Sequence, residues 1–189
     1  QFLKKKKTKK NSQHLLDFFN LLKVQSKKKK IVERTGGALH HIDKILKLFP
    51  KAKIILNLRN PLETAISMRN YPFFRMYELM LKNKKLKEWN FKKKKNYKFY
   101  GAMLNIWYLK FFKNYKKIKK NNFIFYHYED LIHNPELTLA KILRFILNKK
   151  LLNKYSLNFI RKKSRLIKPN KNKFDLLSFN DKKNLYNSL

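Results

Sequence analysis

The sequence predicts an α/β fold, a parallel sheet flanked by helices, and three observations lead there. The runs AKIILNL (52–58) and NFIFYHY (122–128) are rich in β-branched and aromatic residues, as in strands shielded by helices on both faces. Each is followed by apolar residues at helical spacing, and that alternation builds parallel sheets with crossover helices. Both lead into an Asn-Pro pair, Asn60-Pro61 and Asn134-Pro135, which suits a helix cap followed by its first turn.

Length and composition agree with one folded domain. The chain has 189 residues, 43% of them hydrophobic and 15% aromatic, enough to bury a sizeable core. Cysteine is absent, so disulfides and thiolate metal sites are excluded, and a reducing cytoplasm is the default expectation. No stretch approaches the roughly 18 uninterrupted apolar residues of a spanning helix. The opening QFLKKKKTKK lacks the apolar segment and small-residue cleavage site of a secretory signal, and reads as the edge of a longer chain.

The formal charge of +37, from 48 basic and 11 acidic residues, invites a nucleic-acid reading. The distribution favours a different one. Lysine runs at 4–7, 27–30 and 92–95 fall between periodic segments, and Asn, Ile, Phe and Tyr are enriched with Lys, as AT-rich codons produce. Arginine, the better reader of phosphate and base edges, is scarce. A basic nucleic-acid-binding α/β module stays open as an alternative and would need its lysines to converge on one face.

Taken in order, residues 1–30 read as a basic helix and linker, with HLLDFFNLL (14–22) at helical spacing, and residues 31–189 as the main domain. IVERTGG (31–37) has the pattern of a strand leaving into a glycine turn. ALHHIDKILKLF (38–49) places Leu39, Ile42, Ile45, Leu46 and Phe49 on one helical face and stops at Pro50. After the strand at 52–58, Asn60 caps a helix. The region 71–98 reads as loop-rich with a short helix over 74–86, and 100–117 as a core helix. A strand follows at 122–128 and an amphipathic helix at 135–147, and the tail reads as loop plus a short terminal helix.

The stretch RNPLETAISM (59–68) carries the sharpest chemical signal. A helix N-terminus directly after a strand favours an anion through its N–H groups and dipole. Arg59 adds a planar fork for two phosphate oxygens and Ser67 a hydroxyl. The two stand eight residues apart, roughly 12 Å of helix, so Arg59 must reach along the helix or the ligand must lie beside it. The plain alternative is an ion-pairing Arg59 and a packing Ser67.

With its neighbours, this stretch resembles the sulfotransferases that use 3′-phosphoadenosine 5′-phosphosulfate. The resemblance rests on VERTGGALHHIDKILKLFPKAKIILNLRNPLETAISM and FYHYEDLIHNPELTLAKILRFI, and covers about residues 31–189. It implies a P-loop NTPase-like architecture and transfer of a sulfuryl group to a hydroxyl or amine acceptor. Arg59, Asn60, Pro61 and Ser67 match the motif whose Arg and Ser bind the nucleotide's 3′-phosphate, and Tyr128 matches a tyrosine near the adenine. Where the family often has Glu-Lys-Thr-Pro, this chain has Glu33-Arg34-Thr35-Gly36, so Arg34 is the cation available to stabilise the transferring group. KFDLLSFNDKKNLYNSL resembles the family's C-terminal helix, and IRKKSR (160–165), with Arg161 and Lys162, the basic loop that closes over the 3′-phosphate.

One departure is large. The family's Lys- and Gly/Ser/Thr-rich phosphosulfate loop follows a first strand upstream of all these segments. No glycine precedes Gly36, so that strand and loop read as missing. A catalytically inactive or truncated relative that retains only nucleotide binding is therefore an alternative. General-base candidates are Glu33, His40 and His41. Adjacent helical histidines point about 100° apart, so one of the two at most faces a site. His127 reads as a core histidine within a strand, Trp107 as core, His14 and His133 as surface residues, and no metal is expected.

Overall fold

The computed structural model describes residues 2–28, 30–34, 36–81, 97–169 and 175–189. Two strands, β1 (Ile54–Leu58) and β2 (Phe123–His127), pair in parallel with Ile54 opposite Phe123 and Leu58 opposite His127. Helix α1 (Phe2–Ser26) leads to a 3-10 helix at Gly36–His41 and α2 (Ile42–Leu48) before β1. Among the described residues, three helices, α3 (Pro61–Asn70), α4 (Pro72–Leu81) and α5 (Tyr97–Tyr115), lie between the strands. After β2 come α6 (Tyr128–His133), α7 (Pro135–Leu147), α8 (Lys154–Ser164) and α9 (Phe179–Tyr186). The fold is α/β, a small parallel sheet flanked by helices.

The core has two parts. Ile42, Leu56, Phe111 and Ile118 form one cluster, which joins α2 and α5 to the sheet face carrying Ile54, Leu58 and Phe123. The larger cluster joins α3 (Leu62, Ala65, Ile66, Met68) to α5 (Tyr100, Met103, Leu104, Trp107) and Leu185 of α9. Trp107 is buried there, as expected of a core residue. Because α2 packs on β1 and returns to it through a short turn at 49–53, the helix runs antiparallel to the strand. His40 and His41 stand just before its N-terminus.

Several expectations are corrected. Residues 31–34 form no strand: Val32 is 73% exposed, and Glu33 and Arg34 follow it without regular structure. Two β-branched residues flanked by charge cannot hold a strand without a neighbouring ladder, and among the described residues β1 has its ladder with β2. The helix expected over 38–49 splits, because Gly36-Gly37 admit a tight 3-10 turn ahead of α2. Cover on both faces of β1 is incomplete, for Leu56 is buried while Asn57 is exposed. His127 is exposed at the end of β2 and meets the ring of Phe125 edge-on at 5.9 Å. The helix expected over 74–86 runs from Pro72 to Leu81, and residues 82–96 lie outside the described ones.

The tail also differs. Residues 160–165 are not a loop: Arg161 and Lys162 lie exposed on α8. Asn153 caps this helix by accepting from the Ser156 N–H, Ile160 is buried, and Ser164 donates to Glu136 Oε1 of α7 at 3.3 Å. Ile160 and Ser164, buried at i, i+4, mark the inward face of this helix, which the surrounding lysines obscured.

Candidate functional site

The parallel register places the first residues beyond each strand side by side. Leu58 lies opposite His127, so Arg59 and Tyr128 emerge together where β1 gives way to α3 and β2 to α6. The guanidinium of Arg59 stacks over the Tyr128 ring, 4.6 Å from its centroid. Its Nη2 donates to Glu63 Oε2 at 3.1 Å along the helix, with side-chain exposures of 21% and 11%. A half-buried cation is thus held between a carboxylate and an aromatic face at the mouth of the sheet.

Residues 61–70 are helical throughout, so Ser67 lies one turn beyond Glu63 on the same face of α3, and it is exposed. Arg59 reaches along the helix toward that face. The ion pair that sequence reasoning offered as the plain alternative does form, with Glu63. That partner was legible as an i, i+4 spacing but was not named.

The N-terminus of α3 offers less to an anion than its position implies. Pro61 has no N–H, and the Asn60 side chain accepts from Leu62 N at 2.9 Å and Glu63 N at 3.4 Å. Thr64 N donates to Asn60 O at 3.0 Å. The cap that fixes the turn after β1 occupies the donors that would otherwise meet a ligand, so side chains must hold an anion here. A guanidinium has five N–H donors, and the bond to Glu63 Oε2 uses Nη2 alone.

Around this centre the other candidates spread unevenly. Burial pushes the Tyr126 phenol up, and the Arg34 cation is close enough to oppose that rise, which places Arg34 near the end of β2. Glu33 beside it is exposed. His40 lies between His41, 4.8 Å away, and Trp107, 6.1 Å away, and its Nδ1 is buried without a hydrogen-bond partner among the described residues. Desolvation, with help from Lys110, holds the His40 imidazole below its ordinary value, so it is neutral at pH 7. His41 is lowered likewise, by desolvation first and then by His40, but it is exposed. Lys110 pairs with Asp43 at 3.4 Å beneath the two imidazoles. Arg161 and Lys162 point outward from α8, which packs on α7. Among the described residues no three His, Asp or Glu gather as metal ligands would.

The comparison with protein families decides what this arrangement belongs to. The family model described as "Sulfotransferase family" matches residues 7–147. The chain belongs to the sulfotransferase family. The match takes in β1, the Arg59 turn, α3, β2 and Tyr128, and ends at the last residue of α7. No curated protein and no solved structure matches this sulfotransferase.

Proposed function

We propose that this sulfotransferase binds 3′-phosphoadenosine 5′-phosphosulfate and passes its sulfuryl group to a hydroxyl or amine acceptor. The observation that carries the reading is Arg59 stacked on Tyr128 at the mouth of a parallel sheet, inside the segment matched by the family. Arg59 and Ser67 hold the 3′-phosphate, and Tyr128 orients the guanidinium by stacking and lies beside the adenine. Arg34, whose charge is felt by Tyr126 of β2, neutralises charge on the transferring group. His40, neutral at pH 7, takes the acceptor's proton, with exposed Glu33 the other candidate base. In the step itself the acceptor oxygen or nitrogen bonds to sulfur as the sulfur–oxygen bond to adenosine 3′,5′-bisphosphate breaks. The protein's part is positioning and charge stabilisation.

Calorimetry with adenosine 3′,5′-bisphosphate tests the binding half. Arg59→Ala is expected to weaken affinity by about tenfold to a hundredfold, the worth of a charge-assisted hydrogen bond. Lys51→Ala, an exposed charge in the turn before β1, is expected to change it little. Equal losses would mean general attraction to a basic protein and would remove Arg59 from the site.

A second reading has its own observation. Gly36-Gly37 open a 3-10 turn and lack the following Lys-Ser/Thr of a phosphate loop. Residues 1–189 are therefore expected to bind the nucleotide yet transfer little sulfuryl group, and appreciable turnover by this chain would refute that.

A further inference from the structure

The outward face of α5 does not match its inward one. Tyr100, Met103, Leu104, Trp107 and Phe111 are buried, as a core helix requires. Yet Ile106, Leu109 and Phe112, three residues apart on the opposite side, are 57%, 62% and 55% exposed. This stripe runs on into the edge of β2 that is unpaired among the described residues: Tyr115 meets Phe123 at 5.2 Å, and Phe123 meets Phe125, itself 46% exposed, at 6.4 Å. A groove of about 540 Å³ lies there, lined by Tyr115, Ile118, Phe123, Ile124 and Phe125 with Lys116, Lys120 and Lys141.

Charge gives this surface its direction. From Tyr97 to His127 the sequence holds no Asp or Glu. Lys110 is engaged by Asp43 of α2, but Lys113, Lys116 and Lys120 stand exposed beside the apolar stripe. Lys141 of α7 lies over Phe125 at 5.6 Å and donates to its edge carbonyl at 3.0 Å. Long lysine stems lie along apolar surface and carry their charges to its rim.

We propose that the outer face of α5 and the adjoining edge of β2 dock this protein on an anionic lipid surface. Ile106, Leu109, Phe112 and Phe125 enter the headgroup boundary, and the lysines meet the lipid phosphates. Exposed Ile106 and Leu109 beside Phe112 suit acyl chains better than stacked bases, which gain little from aliphatic side chains. A second copy would bring an equally lysine-rimmed face against this one, and like charges oppose that.

Flotation with vesicles of phosphatidylcholine, with and without phosphatidylserine, tests the assignment on the full chain. Binding is expected to the mixed vesicles and to be far weaker without the anionic lipid. The triple variant Ile106→Ser, Leu109→Ser, Phe112→Ser changes only exposed positions, and its fold is checked by circular dichroism and thermal melting. It is expected to lose about tenfold or more in partitioning. Exchanging Lys113, Lys116 and Lys120 for Gln is expected to cost about a hundredfold, from the worth of each lysine near a charged bilayer. Exchanging Lys149, Lys150 and Lys154, which belong neither to α5 nor to the groove's lining, is expected to cost little. Equal losses from the two lysine triplets, or an unaltered serine variant, would reduce the binding to bulk charge and overturn the proposal. A wild-type dimer in sedimentation that the serine variant abolishes, or a single-stranded RNA complex with the same dependence on these residues and no vesicle binding, would overturn it too.

Discussion

At the scale of single residues, the Arg59–Glu63 pair decides how the candidate site behaves. A carboxylate 3.1 Å from the guanidinium fixes its direction and at the same time competes with any phosphate for it. Glu63→Gln keeps the shape and removes the charge. It is expected to lower stability by about 1 kcal/mol while tightening adenosine 3′,5′-bisphosphate binding by a similar amount, measured by urea unfolding and calorimetry. A loss of affinity would show that orientation by Glu63 outweighs its competition. His40 makes a second prediction, through pH. Its folded value lies below the ordinary 6.5 because burial and Lys110 disfavour the cation, with Lys44 adding to them and Asp43 opposing. The unfolded chain therefore binds the extra proton first as pH falls, so stability rises with pH up to about 6.5 and declines below it. His40→Gln is expected to flatten that acid decline in thermal melts recorded between pH 7 and 5, and the wild type should show any sulfuryl-transfer activity fading over the same range.

At the scale of elements, tight contacts explain why particular residues could not be otherwise. A Cβ added to Gly101 of α5 would come within 1.9 Å of Ser188 Oγ, 3.0 Å of its Cβ and 3.4 Å of a Leu185 methyl. Ser188 Oγ is itself committed to the Leu185 carbonyl at 2.8 Å. Gly101→Ala is expected to cost about 1 kcal/mol despite alanine's better helix propensity, and adding Ser188→Gly should recover it, a double-mutant comparison read by urea unfolding. Lys53 is a second tie. It donates to Phe145 O and Asn148 Oδ1 and lies 4.7 Å from the centre of the Phe145 ring, so the entry to β1 is fixed to the carbonyl end of α7. Of these elements, β1, β2, α3, α5 and α7 were legible in the sequence, because long apolar runs, the Asn60-Pro61 cap and helical spacing over many residues all pointed one way. The missing strand at 31–34 and the unforeseen α8 were not. In the first, two β-branched residues resembled a strand whose ladder partner no sequence pattern supplies, and in the second Lys162, Lys163 and Arg165 masked a helix held by Asn153 and Ile160. The site was half legible for a similar reason: Arg59 and Tyr128 could be named, but their stacking depends on the register of two strands 69 residues apart in the paired positions Ile54 and Phe123.

At the scale of the whole molecule, charge and sheet size oppose each other. The two strands paired among the described residues are too few to be stable by themselves, so cohesion comes from the helices that meet at Ala65, Tyr100, Phe111 and Leu185. Against that packing stands a net charge of +37, which ion pairs such as Arg59–Glu63 and Lys110–Asp43 offset only in small part. Self-repulsion of this kind weakens the compact state and is screened once the Debye length falls to about 8 Å at physiological ionic strength. Sodium chloride is therefore expected to stabilise the fold, in contrast to a protein held by surface salt bridges. A gain of about 1 kcal/mol would raise the melting temperature by roughly 2–4 °C in a chain of this size. Chloride is the anion to use, because sulfate or phosphate is also expected to bind at the proposed Arg59 site and to stabilise by binding. The two effects separate cleanly in Arg59→Ala: the chloride response should persist, while any extra stabilisation by sulfate at equal ionic strength should shrink, and a melting temperature that falls with chloride would refute repulsion as the limiting term.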